Sequence, residues 1–361
     1  MPRPHVGGTF RIATQWTDER ITEAKRALSE SRTISEAAAK LGCTPAALQT
    51  AFMARRTQIG GTAARWLNSS ATLTSSRPTV TAVVTEPVTV MGRVARSVAR
   101  VGANKPGRYR VAHITDIHFG SSHCDCKALL DFFDIARARG VSAILCTGDV
   151  LDGVSEKLLM EQRAVGFERQ SEEAVDIFKH AAEWPIIAIT GNHDGYFNDI
   201  AGVDAGHALA AKMRDAGVQW LHVGSCLGRA IVHGARVELY HPHGGGATRD
   251  AVRRVLAAKA QRYTDADRPD LLVAGHFHKT ASVHAYPENV FCVGGGTFQR
   301  RESDFGVRMI HPWDIGGGII SWTVREDGSV GEFAHEFFDV RPEVRGWGQN
   351  DGNSGNSAGN S

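Results

Sequence analysis

Five short apolar runs in this chain each end abruptly in a cluster of carboxylate, amide or imidazole side chains, and no other feature limits the fold so strongly. Residues 110–115 lead into Asp116-Ile117-His118, residues 143–147 into Gly148-Asp149-Val150-Leu151-Asp152, and residues 185–190 into Gly191-Asn192-His193-Asp194. Further on, residues 237–240 lead into His241-Pro242-His243, and residues 271–274 into Gly275-His276-Phe277-His278. A continuous apolar run of this length reads as a strand covered on both faces, as in parallel sheets, where polar chemistry collects at the carboxyl ends. Strand periodicity then predicts that all five polar ends share one rim of one sheet.

Seven side chains on that rim, Asp116, His118, Asp149, Asn192, His241, His276 and His278, are too many for one transition ion and enough for two if a carboxylate bridges them. Imidazole mixed with carboxylate and amide oxygen suits Mn, Fe, Zn or Co, with Mn favoured, whereas Mg or Ca prefers an all-oxygen shell. Two such ions held close together clamp both oxygens of an in-line displacement at phosphorus and activate a water between them. The expected chemistry is hydrolysis of a phosphoester.

Asp-x-His, Gly-Asp-x-x-Asp, Gly-Asn-His-Asp, a strand-end His and Gly-His-x-His, in this order, resemble the calcineurin-like metallophosphoesterase superfamily over residues 108–340. Each motif is short; five in order, each after an apolar strand, are specific. The resemblance implies an α/β fold, a layered β-sandwich flanked by helices. It also implies that Asp116, His118, Asp149 and His278 hold one divalent ion and Asp149, Asn192, His241 and His276 the other. His193 would stand beside the phosphate to protonate the leaving oxygen or steady its charge, oriented by Asp152. His241 is preferred to His243 as ligand because it follows its strand directly; His243 is read as lining the pocket. Where protein Ser/Thr phosphatases continue Gly-Asp-x-x-Asp with Arg-Gly, this chain has Gly153-Val154, which favours a phosphodiesterase or a different monoesterase.

Ahead of that body, residues 1–66 read as a small all-α domain. Residues 17–30 have helical spacing, Thr33-Ile34-Ser35-Glu36 is a capping box opening a helix over 35–41 that Gly42 ends, and Thr44-Pro45 opens a third helix reaching Arg55-Arg56. The pattern resembles the helix-turn-helix of bacterial and phage DNA-binding modules. Three short amphipathic helices also suit protein docking, and charge tips the balance. Residues 1–110 hold 17 Lys or Arg against 6 acids, 17 − 6 = +11, which leaves 24 − 33 = −9 for residues 111–361. A basic arm on an acidic, metal-binding body is suited to a polyanion, so nucleic acid is the expected partner. In the major groove the third helix would enter, with Thr44, Gln49 and Thr50 at base edges and Arg55 and Arg56 on phosphates.

Residues 67–107 are rich in Ser, Thr, Pro and Gly and read as a tether, although 90–101, with Arg93, Arg96 and Arg100, suits either a basic helix or a strand packed on the body. Residues 127–139 and 156–180 are expected helices, and 228–240 a hairpin turning at His233-Gly234. Residues 195–206 are expected to floor the substrate pocket, 305–338 to add strands in the outer sheet of a sandwich, and 341–361 to be disordered. No apolar run suits a membrane span or a leader, so the cytoplasm is the expected location, and the six cysteines are read as reduced thiols. Three functions follow: a dimetal phosphodiesterase acting on nucleic acid, as in a phage protein; a phosphoesterase for a small nucleotide or phosphomonoester with a docking module; or a binding platform without catalysis.

Overall fold

The computed structural model describes residues 23, 26–27, 34–43, 88–90, 93–95, 98–155, 158–246, 248–300 and 312–341. Helix α1 (Ile34–Lys40) comes first, then strands β1 (Val88–Val90), β2 (Arg93–Ala95), β3 (Val98–Val101) and β4 (Gly107–Ile114). Next come α2 (Cys126–Ala138), β5 (Ile144–Cys146), α3 (Phe167–Phe178), β6 (Ile186–Thr190), α4 (Asn192–Ala201), α5 (Ala205–Asp215), β7 (Trp220–Ser225), β8 (Leu227–Val232) and β9 (Ala235–Tyr240). Helix α6 (Arg249–Ala260) and strands β10 (Leu271–Ala274), β11 (Ala281–Ala285), β12 (Val290–Gly294), β13 (Gly316–Val324) and β14 (Val330–Asp339) complete the order.

The motif strands do not share one sheet, and here the sequence expectation is corrected. Strands β4, β5 and β6 lie in a six-stranded sheet ordered β14-β13-β4-β5-β6-β7, whereas β9 and β10 lie in a second, ordered β11-β12-β10-β9-β8-β3. Within the first sheet β4 to β7 are parallel, and in the second β9, β10 and β12 are parallel. Alternation explains how the two sheets stack. Val111, Leu145, Ile187 and Ile189 meet Leu239, Leu271, Val273 and Val293 in one core cluster between the sheets. Ala112, Ile144, Cys146, Ile186 and Ala188 face the helical side with Leu129, Phe133 and Phe178, and Leu272 and Ala274 face Val252 and Leu256 of α6. Every motif strand is thus covered on both faces, and so its sequence reads as an unbroken apolar run. The result is a mixed α/β sandwich with helices outside both sheets.

Other differences are local. The helix expected over 156–180 begins at Phe167, behind Gly166 at φ 89°, and residues 158–166 run in turns and bends. Strands β13 and β14 extend the first sheet beside β4 rather than forming an outer one. Val98–Val101 adopts the strand alternative, pairing parallel with β8, and the hairpin at His233-Gly234 forms between β8 and β9.

Of the N-terminal helices, α1 matches the second expected one. Gly42 ends it at φ 63°, with Cys43 N donating to Ala38 O at 2.9 Å, the left-handed turn that glycine permits. Ala38 and Ala27 pack against Leu159 and Val165 of the body. Of the first expected helix only residues 23, 26 and 27 are described, all helical; the third expected helix, most of the tether and the tail after Arg341 lie outside the described residues. No helix among the described residues is long and apolar enough to cross a membrane.

Candidate metal centre

All seven side chains named from the sequence converge where the carboxyl ends of β4, β5, β6, β9 and β10 approach one another. Ligand atoms of Asp116, His118 and His278 lie within 4.8 Å of one another, as do those of Asp149, His241 and His276. A third group at the same spacing, His118, Asp149 and His193, joins the first two. Asn192 completes the second group: its Oδ1 lies 3.1 Å from His241 Nε2 and 3.0 Å from His276 Nδ1. His243 is exposed and lies on the wall of a neighbouring cleft, so His241 is the histidine brought into the cluster.

The backbone is bent to achieve this. Asp116, His118, Asp149, His276 and His278 stand at φ 52°, 57°, 51°, 77° and 51°, a region costing non-glycine residues on the order of 1–3 kcal/mol each. Such strain persists only where the surroundings enforce it, and it is concentrated on five of the seven candidate ligands. Gly148 at φ 95° and Gly191 make the close approach of the two strand ends feasible, since a Cβ on Gly148 would sit 2.6 Å from Gly191 N.

Four of the donors are held by a partner behind them. Thr115 Oγ1 donates to Asp116 Oδ2 at 2.6 Å and His276 N does so at 2.8 Å. His193 N donates to Asp149 Oδ1 at 2.8 Å. His241 Nδ1 faces the Thr147 carbonyl at 2.7 Å; a carbonyl only accepts, so Nδ1 carries a proton and Nε2 is the nitrogen left to take a second proton or a metal ion. His118 Nδ1 lies 3.2 Å from Asp152 Oδ1, and Gln162 Nε2 donates to Asp152 Oδ2 at 2.9 Å.

Whether these residues suit cations is decided by what they leave unsatisfied. His118 Nε2 and His278 Nδ1 are buried without a hydrogen-bond partner, and Asp116 Oδ1 faces only His278 Nε2 at 3.2 Å, which is costly for polar atoms unless something fills the gap. His241 Nε2 faces two oxygens, Asp149 Oδ2 at 3.2 Å and Asn192 Oδ1 at 3.1 Å, and only a proton or a metal ion reconciles the three. Electrostatics agree. Burial opposes ionisation of Asp116, yet the His278 and His241 charges hold it down at about 2; burial likewise opposes Asp149, and His241 and His193 carry it well below the usual range. Burial favours neutral imidazole at His118 and His241, but Asp152 and Asp149 outweigh it, raising them to about 8 and about 9. Buried anions that hold imidazoles protonated will accept a divalent cation in the protons' place.

Two residues play parts the sequence did not disclose. Asp152, expected to orient His193, meets it with its backbone: its carbonyl accepts from His193 Nδ1 at 2.9 Å, whereas its carboxylate oxygen is 3.9 Å away. Asp194, the last residue of Gly-Asn-His-Asp, accepts from Gly191 N and Leu151 N, both at 2.8 Å, and from Val150 N at 3.3 Å. It ties the turn after β5 to the start of α4; burial and the nearby Asp149 raise it to about 7. Its place, three residues into Gly-Asn-His-Asp at a helix start, was the available signal.

Residues 109–280 match the family model described as calcineurin-like phosphoesterase. This part of the chain is similar to calcineurin-like phosphoesterase domains. The domain is a metal-dependent phosphoric ester hydrolase, and its matched span contains all seven candidate ligands. No curated protein matches the sequence. One solved structure, a hypothetical protein from Pyrococcus horikoshii OT3, is 11% identical, with 63% of this chain and 87% of that chain covered at a TM-score of 0.34, a likeness too slight to argue from.

Proposed function

We propose that the phosphoesterase domain works with two divalent transition ions, Mn favoured over Fe, Zn or Co, and hydrolyses phosphodiesters, with nucleic acid as the substrate class. The observation that carries the reading is Asp149, whose carboxylate belongs to two of the three donor groups and so stands where a bridging ligand belongs. Asp116, His118 and His278 would hold one ion, Asn192, His241 and His276 the other. When bound, the pair would supply Lewis acidity at the phosphoryl oxygens and a water acidic enough to attack near neutral pH.

The chain's own part in the reaction centres on His193. Its Nδ1 is committed to the Asp152 carbonyl, so any second proton is carried on Nε2, available to a leaving oxygen. Burial lowers the His193 pKa against the pull of Asp149, which suits a group that gives up its proton readily. Diesters are favoured by Gly153, where the phosphatase branch carries arginine: Gly153 has φ 72°, and a Cβ there would meet the His193 carbonyl oxygen at 2.2 Å. Without that arginine the dianionic phosphate of a monoester loses its expected grip.

A second reading draws on the cleft of about 570 Å³ beside Asn192, walled by Tyr196, Asn198, Asp199, Asp204 and His243. Carboxylates on its wall suit a small neutral leaving group better than a long polyanion. Metal-free protein reconstituted with Mn is expected to hydrolyse bis(p-nitrophenyl) phosphate faster than p-nitrophenyl phosphate, and Asp149→Asn to abolish both activities. A preference for the monoester would reject the diesterase reading; turnover of mononucleotide esters without cleavage of DNA or RNA would select the second one.

A further inference from the structure

Outside the metal centre, two thiols are brought together by the turn that opens α2. Cys124 and Cys126 flank Asp125, and their Sγ atoms lie 3.7 Å apart. Asp125 has φ −100° and ψ 80°, close to the inverse γ-turn that folds the neighbours of its central residue toward each other. Cys126 is the first residue of a 13-residue helix, where unpaired amides favour an anion. Arg163 Nη2 donates to Cys126 Sγ at 3.5 Å, and Arg163 Nη1 to Cys124 O at 3.5 Å. Cys126 is partly exposed and Cys124 is buried, so the residue at the helix start is the more accessible of the two. The hydrogen bond from Cys124 lowers Cys126 to about 7 against burial and the nearby Glu173, with Arg163 assisting, while the same bond and burial raise Cys124.

We propose that Cys124 and Cys126 form a thiol–disulfide exchange site, with Cys126 the attacking sulfur, Cys124 the resolving one, and a low-molecular-weight disulfide as co-substrate. The Cys126 thiolate attacks one sulfur of the incoming disulfide, forming a mixed disulfide and expelling one thiolate. Cys124 loses its proton to solvent and attacks Cys126 Sγ, so that the Cys124–Cys126 bond forms as the second thiolate leaves. Both expelled thiolates take up protons. Two protein thiols are oxidised and one disulfide is reduced to two thiols, so the electrons balance. Closure needs the sulfurs to approach from 3.7 Å to about 2.05 Å, which side-chain rotation about the Asp125 turn supplies in part and backbone shift in the rest.

That shift would be felt at the ligands. Cys124 N donates to Ser121 O at 3.2 Å and Ser121 N to His118 O at 3.0 Å, while Asp125 N donates to Phe298 O at 2.7 Å and Phe298 N to Asp116 O at 3.1 Å. The dithiol turn is therefore hung between two candidate metal ligands, and closing it lowers hydrolysis; this consequence alone rests on the phosphoesterase reading.

The test treats the full-length, Mn-loaded protein with oxidised glutathione at neutral pH, blocks remaining thiols and maps the cysteines by mass spectrometry. The expected peptide carries both cysteines, unblocked and lighter by two hydrogens. Cys124→Ser is expected to trap a glutathione adduct on Cys126, and Cys126→Ser to leave residue 124 unmodified and unlinked. Full blocking of Cys126 in wild type, or no adduct in Cys124→Ser, would overturn the proposal, and neither readout depends on turnover. In parallel, oxidised wild type should lose bis(p-nitrophenyl) phosphate hydrolysis and regain it with dithiothreitol, while Cys126→Ser is indifferent; unchanged turnover in a linked protein would overturn the coupling to the ligands.

Discussion

Asp152 acts through two different atoms, and the division shows how one residue can support two histidines. Its carboxylate takes Gln162 and His118, and its carbonyl takes His193. Asp152→Asn should therefore weaken metal binding at His118 while leaving the His193 contact in place. Loss of such an outer carboxylate typically lowers metal affinity by about 10–100-fold, so a metal titration should shift by that factor while turnover at saturating metal stays close to wild type. Protons compete for the same nitrogens. His118 and His241, raised to about 8 and about 9 without metal, are charged at neutral pH and must lose protons as an ion enters. Affinity should thus rise with pH, steeply below the lower value and levelling above the higher one. Calorimetry in buffers of different ionisation enthalpy should register proton release at neutral pH and little above the upper pKa; pH-independent affinity would remove the competition.

At the scale of elements, the five strand ends were legible because burial on both faces forces an unbroken apolar run, and the ligands begin where the run stops. Which strands pair was not legible. Val111 and Leu239 are interchangeable as apolar residues, and nothing local tells that one belongs to each sheet. The expected long helix failed for a related reason: residues 158–166 are spaced acceptably for a helix, but Gln162 is drawn inward to Asp152, and Gly166 stands at φ 89°. Tertiary demand overrode local propensity. The turns after the strands carry their own prediction. A Cβ on Gly191 would sit 2.2 Å from Asp149 Oδ1 and 2.7 Å from His241 Cε1, so Gly191→Ala must displace the carboxylate shared by two donor groups. Misplacement on the scale of an ångström costs about 100-fold in rate, and kcat should fall at least that far. A core control separates geometry from stability: Leu145→Ala, fully buried between the sheets, should cost about 2–5 kcal/mol in unfolding free energy with turnover of the folded fraction nearly unchanged.

Across the whole molecule, charge is divided in a way the fold of the domain does not require. Residues 1–66 carry 10 Lys or Arg and 5 acids, ahead of a body whose centre is built from buried carboxylates. Deleting those residues is a blunt test of nucleic-acid binding, because Ala27 and Ala38 cover Leu159 and Val165 in the segment that carries Gln162; removing them exposes apolar surface next to the support of Asp152. Neutralisation at Arg55 and Arg56, the pair expected on phosphates, is the sharper test. If both contact the backbone, Arg55→Gln with Arg56→Gln should lower the magnitude of the slope of log affinity against log salt for duplex DNA by about 1.8, since each neutralised phosphate contributes about 0.9. Hydrolysis of bis(p-nitrophenyl) phosphate, which needs only the metal centre, should not change. An unaltered slope would separate the arm from nucleic acid and leave the cleft beside Asn192 as the feature that selects the substrate.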